Sequence, residues 1–514
     1  MAIQAPPLID QPAKPQTATA AKVGRQGLLL ISGFAAAQAF AFARNALIGH
    51  ALSKGDFGIA ATITITLQLI ETLSDVGSDR LIVQSKDGDD PALTALAHLT
   101  LVAKGLITGA ILYLLAGPMT SALGISHAQW AFEVASLVPV IKGFAHLDFR
   151  WHQRQLNNRP FVLYEAAPQV IATLVAWPAL VYAPTFAAIP WIIIAAAISS
   201  TLTSHLLAVR PYRIAWSENH IAATLKFGWP IWLSAIPLVA VYQGDRFLIG
   251  GLLGMEALAS FTTAFLLTMV PGLLAAKVGN ALMLPVLSEA RDTPEVFLRR
   301  FATLSEAVVI LAAAYLVGFA LSGGAVLPVA FGDNYAGLGS LVTILAMMWA
   351  LRMLQAVPGM ALMAMGDTRP LLIAGLVRAI GLPLAFVAAQ SGYGLIGMAL
   401  AGLAAEALSL IYIIARVGRK DDRLSVAFAV RCLALIPAVL IGGALVVFPS
   451  VVSAWSALAT ISLAVAAATI TAATLAVALP ETRALLQRTL RALQPAPTTS
   501  PTGQGASHSA TGSI

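Results

Sequence analysis

Residues 95–117 read ALAHLTLVAKGLITGAILYLLAG, twenty-three residues with Lys104 as the one fully charged side chain. At roughly 1.5 Å of rise per residue a helix of this length crosses the roughly 30 Å hydrocarbon core of a bilayer. Working outward, comparable apolar stretches lie at about 26–50, 57–83, 126–148, 161–183, 186–209, 228–252, 257–286, 302–329, 336–362, 370–390, 393–416, 430–449 and 454–479. They predict an all-α polytopic membrane protein with about fourteen transmembrane helices. Composition agrees: of 514 residues 58% are hydrophobic and 11% charged, against about 25% charged in soluble domains. No large soluble domain fits between the spans. The single cysteine, Cys432, cannot form an internal disulfide.

Charge placement orients the chain. With the N-terminus in the cytoplasm, 22 of the 31 Lys and Arg residues fall on inner stretches, one, Lys54, on an outer loop, and eight in or at the ends of spans. The positive-inside rule then places both termini in the cytoplasm. It also accounts for the net charge of +7 without nucleic acid as a partner. Short matches suggest an internal repeat: Leu47-Ile48-Gly49 with Leu248-Ile249-Gly250, Arg159-Pro160 with Arg369-Pro370, and Lys142 with Arg352. Two pseudo-symmetric six-helix bundles follow, related by an axis along the membrane normal. The expected layout is a disordered N-terminus over 1–24, bundles at 25–209 and 228–417 with a cytoplasmic linker at 210–227 between them, and two extra helices within 418–479. An amphipathic interfacial helix at 480–494 sets Leu485, Leu486, Leu490 and Leu493 against Arg483, Arg488 and Arg491, before a disordered tail at 495–514.

Enzyme signatures are missing. The chain has no Gly-Lys dipeptide for a phosphate-binding loop, no His-Glu for a zinc helix and no G-x-S-x-G elbow. Asp87-Gly88-Asp89-Asp90 reads as a solvated turn, and the short outer loops offer no catalytic platform. His98, His146 and His205 stand singly and are assigned no metal; no cofactor is expected. Trp130, Trp151, Trp191 and Trp455 suit interface anchors.

The cations inside the spans are Arg44, Arg80, Lys104, Lys142, Arg246, Lys277, Arg352 and Arg378. Each costs roughly 2.5–3.5 kcal/mol at a helix centre facing lipid, so they must face water, acids or a ligand. Glu71, Asp75, Asp79, Glu133, Glu165, Asp245, Glu306 and Glu406 are available as partners, with Glu71, Asp75 and Asp79 spaced as one stripe on the second span. Structural pairing and ligand binding both remain open for each cation. Lys104, Lys142, Lys277, Arg352 and Arg378 fall in the inner half or middle of their spans, and Arg44 and Arg246 further out. A cavity so lined suits a large anion, because Lys and Arg bind phosphate through charge-assisted hydrogen bonds.

Ala43-Arg44-Asn45 through Ser53-Lys54-Gly55-Asp56-Phe57-Gly58 resembles the signature joining the first two helices of the polysaccharide transporters, the Wzx-like O-antigen and exopolysaccharide flippases. Leu73-Ser74-Asp75-Val76-Gly77, Asp245-Arg246-Phe247-Leu248-Ile249-Gly250 and Phe331-Gly332-Asp333-Asn334-Tyr335 resemble further motifs of that family, and the similarity runs from about 25 to 420. Leu258-Ala259 departs from it where the first half has Phe57-Gly58. The resemblance implies the multidrug/oligosaccharidyl-lipid/polysaccharide exporter superfamily, a bacterial inner membrane, and export of an undecaprenyl-pyrophosphate-linked oligosaccharide by alternating access. It implies a transporter rather than an enzyme, with the lipid-linked oligosaccharide and membrane lipids as partners, and a polysaccharide polymerase and chain-length regulator as further ones. On that reading the pyrophosphate enters a cavity lined by Lys104, Lys142, Lys277, Arg352 and Arg378, and Arg44 and Arg246 hold it as the cavity opens outward. Glu71 and Asp75 are candidates for a coupling proton or sodium ion, or countercharges for Arg44 and Arg80. The rivals are a multidrug or small-solute exporter, which should have acids dominating its cavity, and a membrane polymerase, which should have a long outer loop.

Overall fold

A computed structural model describes residues 20–448 and 455–493, apart from the side chains of 20–24, 234, 236–238, 240–242, 274–282 and 489–493. The tails expected at 1–24 and 495–514 lie largely outside the described residues. Every regular element among the described residues is a helix. In chain order they are α1 (Ala20–Ala51), α2 (Lys54–Leu73), α3 (Ser78–Gln84), α4 (Pro91–Ala122), α5 (Gln129–Ala135), α6 (Leu137–Gly143), α7 (Asp148–Arg154), α8 (Arg159–Tyr182), α9 (Ala188–Leu206), α10 (Glu218–Leu253), α11 (Met255–Glu289) and α12 (Pro294–Phe331). Then come α13 (Gly339–Ala364), α14 (Arg369–Ala379), α15 (Gly381–Gln390), α16 (Gly394–Gly418), α17 (Asp422–Cys432), α18 (Ile436–Val447), α19 (Ala457–Ala478) and α20 (Pro480–Leu493).

Twelve of the predicted spans are long and apolar enough to cross a membrane, α14 with α15 and α17 with α18 each forming one crossing. The other two differ in form. The stretch expected at 126–148 is split into α5 and α6 at Ser136, whose hydroxyl bonds the Glu133 carbonyl at 2.6 Å. Pro139, lacking an N–H, weakens the ladder just beyond. The stretch expected at 228–252 is the outer part of α10, which starts at Glu218 and runs 36 residues, about 54 Å. The linker is therefore residues 207–217, shorter than the 210–227 expected.

The second span also departs from expectation. Helix α2 stops at Leu73, and chain 74–77 leaves the helical path because Gly77 adopts φ +63° and the Asp75 carboxylate accepts its N–H at 3.0 Å. A Cβ on Gly77 would lie 2.6 Å from Ile231, so the bare backbone lets α10 approach the break. Glu71, Asp75 and Asp79 consequently do not form one helical stripe: they sit on α2, on the break and on α3.

Helices α1 to α9 pack around one another, as do α11 to α16, with α17, α18 and α19 against α12 and α13. Helices α1, α2 and α10 cross between the two groups: α2 packs on α10 and α11, α1 reaches α11 and α12, and α10 also lies on α14 and α15. At the end of the molecule away from the linker, Gly58 meets Met255 so closely that a Cβ would stand 2.1 Å from the Met255 carbonyl oxygen. There Phe42, Phe57, Phe331 and Tyr335 form an edge-to-face aromatic cluster with centroids 5.6–6.3 Å apart. Ser53 caps α2 by accepting the Asp56 N–H at 3.1 Å while donating to the Asp56 carboxylate at 2.7 Å. The Ser53–Gly58 and Phe331–Tyr335 motifs thus build one closure between the halves.

Fully buried Glu306 of α12 takes the Arg431 guanidinium at 3.0 Å and the Thr482 N–H and hydroxyl at 2.7 and 3.0 Å. It caps α20 and ties that amphipathic helix to the second half. Asp90 caps α4 through the Ala92 N–H at 2.8 Å. Trp151 donates to Asp89 at 2.8 Å and lies under the Arg210 guanidinium.

Candidate functional site

The seam between the halves is built by α2 against α10. Gln243 of α10 donates to Gln68 of α2 at 2.9 Å and accepts from Arg246 Nη1 at 3.0 Å, an amide bridge from one half to the other. Arg246 is 8% exposed. Its guanidinium lies 4.3 Å from the Phe265 ring centroid, and its Nε has no hydrogen-bond partner among the described residues. A small recess opens beside it, lined by Thr62, Ile65 and Leu123 from the first half and by Arg246, Phe247, Gly250 and Leu258 from α10 and α11. A buried guanidinium with an unpartnered N–H has hydrogen-bonding capacity left for an acceptor such as an oxyanion.

One to three turns toward the linker end lies a charged cluster around the end of α2. Lys142 holds Glu71 at 3.0 and 3.2 Å, Arg80 holds Asp75 at 2.6 Å with Lys104 at 3.9 Å, and Arg150 holds Asp79 at 2.7 Å. Four cations face three carboxylates here. The side chains of Lys142 and Arg80 are 42% and 52% exposed, those of Glu71 and Asp75 30% and 26%.

A second cluster lies inside the second half. Glu406 of α16, its side chain 1% exposed, is gripped by Arg352 of α13 at 2.5 Å and by Arg378 of α14 at 2.8 and 2.9 Å. Gln355 closes the ring, donating to Glu406 at 3.2 Å and accepting from Arg378 at 2.8 Å. Arg352 and Arg378 edge a recess shared with Asp245, Leu382 and Met398. Asp245 and Arg246, neighbours on α10, therefore line different recesses.

The predicted cations do not converge on one cavity. Lys104 and Lys142 gather at the end of α2, Arg246 stands at the seam, and Arg352 and Arg378 belong to the Glu406 cluster. Arg44 of α1 donates to Gln169 of α8 at 2.9 Å, apart from the others. Lys277 falls on α11 with its side chain outside the described residues. Glu71 and Asp75 are both ion-paired. Charge counting passed over Gln68, Gln243 and Gln355; a buried amide in an apolar span needs partners much as a charge does, and that was the available signal.

The sequence profile described as "Polysaccharide biosynthesis protein" matches residues 50–340, more than half of the chain. The chain belongs to the polysaccharide biosynthesis protein family. No curated protein sequence matches it. In fold, this polysaccharide biosynthesis protein is similar to the "Lipid II flippase MurJ, inward closed conformation", with a TM-score of 0.64, 13% identity and coverage of 82% of this chain and 98% of that one. It is also similar to an inward-facing multidrug resistance MATE transporter of the MOP superfamily, with a TM-score of 0.60, 14% identity, and 74% and 95% coverage. The family match takes in the α2 break, Arg246 and, apart from Phe42, the aromatic closure, and ends before Arg352, Arg378 and Glu406.

Proposed function

We propose that this membrane protein is a flippase that moves an undecaprenyl-pyrophosphate-linked oligosaccharide from the inner to the outer leaflet of the bacterial inner membrane by alternating access. The observation that carries this reading is Arg246, buried between the halves with an unpartnered Nε beside the recess. A pyrophosphate supplies the oxyanion that guanidinium lacks, while the sugars occupy the aqueous space and the polyprenyl chain stays in lipid.

The half-exposed pairs at the end of α2 suit a first contact. Exposed ion pairs are worth about 0–1 kcal/mol, so a phosphate exchanges with Glu71 or Asp75 for Lys142, Lys104 and Arg80 at little cost. The displaced carboxylates are then free to take a proton or sodium ion, which keeps Glu71 and Asp75 as coupling candidates. Arg352 and Arg378 support the second half and border its recess; Arg44 and Lys277 keep the weaker assignment of outer and inner contacts. Both termini face the cytoplasm on this reading, the protein is no enzyme, and a polysaccharide polymerase and chain-length regulator act downstream.

The test is leaflet-resolved accumulation of lipid-linked glycan in inverted and right-side-out vesicles from a strain lacking the gene. Accumulation on the cytoplasmic side, reversed by the wild-type gene, supports flipping. Unpolymerised repeat units outside would indicate a polymerase instead, and no glycan phenotype would point to drug or small-solute export.

A further inference from the structure

Residues 207–217, which join the two halves, form no helix or strand, yet their backbone is pinned to the first half. Three histidines far apart in sequence meet against them: His98 on α4, His146 between α6 and α7, and His205 at the end of α9. The rings of His98 and His146 are 4.9 Å apart, those of His146 and His205 5.6 Å. Tyr212 of the linker covers them, 4.4 Å from His98 and 5.1 Å from His205.

The hydrogen bonds decide the protonation state. His98 Nδ1 lies 2.9 Å from the Arg213 carbonyl oxygen, and its Nε2 accepts the Leu147 N–H at 3.1 Å. The nitrogen facing a carbonyl carries a proton, and the one facing an N–H does not, so the ring is neutral and in one tautomer. His146 repeats the arrangement, with Nε2 2.9 Å from the Arg210 carbonyl and Nδ1 accepting the Asp148 N–H at 3.1 Å. Asp148, fully buried, accepts the Val209 and Arg210 N–H groups at 2.8 and 2.7 Å and Arg210 Nε at 2.6 Å. His205 faces the Phe144 carbonyl at 2.9 Å. The ionisable groups around the two imidazoles are therefore Asp148 from α7, His205 from α9, and Arg210 and Tyr212 from the linker.

We propose that residues 207–217 are latched onto the first half by neutral His98 and His146 and ionised Asp148, and that protonation of either imidazole releases them. A second proton on either ring sets one N–H against another, at Leu147 or Asp148, and removes an acceptor that the buried amide needs. The three hydrogen bonds that Asp148 accepts from Val209 and Arg210 suit the anion. Each imidazole therefore holds the linker while neutral, and the latch weakens as pH falls and a second proton is forced onto a ring.

The latch goes beyond the proposed cargo and does not depend on it. Its mechanical consequence is that the start of α10 travels with the first half. His220 lies 3.4 Å from Asp90, and Gly228 sits against Val76, whereas Gly244 further along packs on Leu382 of α15. Motion between the halves must then be taken up along α10, not in the linker.

Amide hydrogen exchange of the full chain in nanodiscs at pH 7.5 and 5, corrected for intrinsic rates, tests this. Peptides covering 207–217 should be protected at pH 7.5 and, once below the ordinary imidazole value of about 6.5, lose about tenfold protection per pH unit for each imidazole that takes up a proton on release. A His98→Gln/His146→Gln double variant should lose that pH response. An Asp148→Asn variant should lower linker protection at both pH values, by about tenfold or more. Unchanged protection of α12 and α13 separates release from unfolding; if a variant unfolds, confinement of the wild-type acid response to the linker and the 147–148 amides decides. Exchange of the linker at the unstructured rate at pH 7.5, equal protection at both pH values, or an acid response surviving in the double variant would overturn the latch.

Discussion

At the end of α2, carboxylates and cations meet with side chains about a quarter to a half exposed; in the second half Glu406 holds two arginines at 1% exposure. The residue types are the same and the exposure is opposite. A pair that water already screens is worth little and exchanges partners readily. Removing one member of a sealed cluster strands charge where water does not reach. The contrast suits the first cluster to the exchange of partners that the proposed transport needs and the second to holding α13, α14 and α16 together. Arg246 falls between them: buried like the second cluster, incompletely satisfied unlike it.

The contrast can be broken by substitution. Glu406→Ala leaves Arg352 and Arg378 without their shared carboxylate and should cost about 3–5 kcal/mol, seen as a large drop in thermal stability in detergent. A drop no larger than that of a surface variant would show that the cluster is not sealed. Gly58→Ala drives a methyl group into the Met255 carbonyl and should cost about 1–3 kcal/mol. The same variant should raise the accessibility of thiols introduced beside Phe331, because the aromatic closure no longer seats. Glu71→Gln should move stability by less than about 1 kcal/mol yet free Lys142, altering lipid-linked glycan transport severalfold; a stability loss matching Glu406→Ala would erase the distinction between the clusters.

Much of the fold was legible in the chain because a bilayer demands long apolar helices, and stretches such as 95–117 satisfy that demand locally. Local rules failed where a single residue redirects the backbone. A period of four joins Glu71, Asp75 and Asp79 on paper, but Gly77 in the left-handed region and the Asp75 carboxylate turning back on its N–H break the helix between them. Ser136 and Pro139 divide the fourth span for a similar local reason. The site was less legible, since its contacts join distant residues: Arg352 and Glu406 are 54 apart in sequence, Gln68 and Gln243 175 apart. The histidines looked solitary for the same reason, although the linker brings three of them together.

The most direct measurement is flipping of a fluorescent undecaprenyl-pyrophosphate-linked sugar in proteoliposomes by the wild type and by Arg246→Ala. Loss of one charge-assisted contact of about 1.5–3 kcal/mol predicts transport per folded protein lower by roughly ten- to a hundredfold, with a loss of thermal stability as well, because the variant also gives up the Gln243 hydrogen bond and the Phe265 contact. Wild-type transport by the folded variant would contradict the account, since the seam would then have no need of an anion's partner.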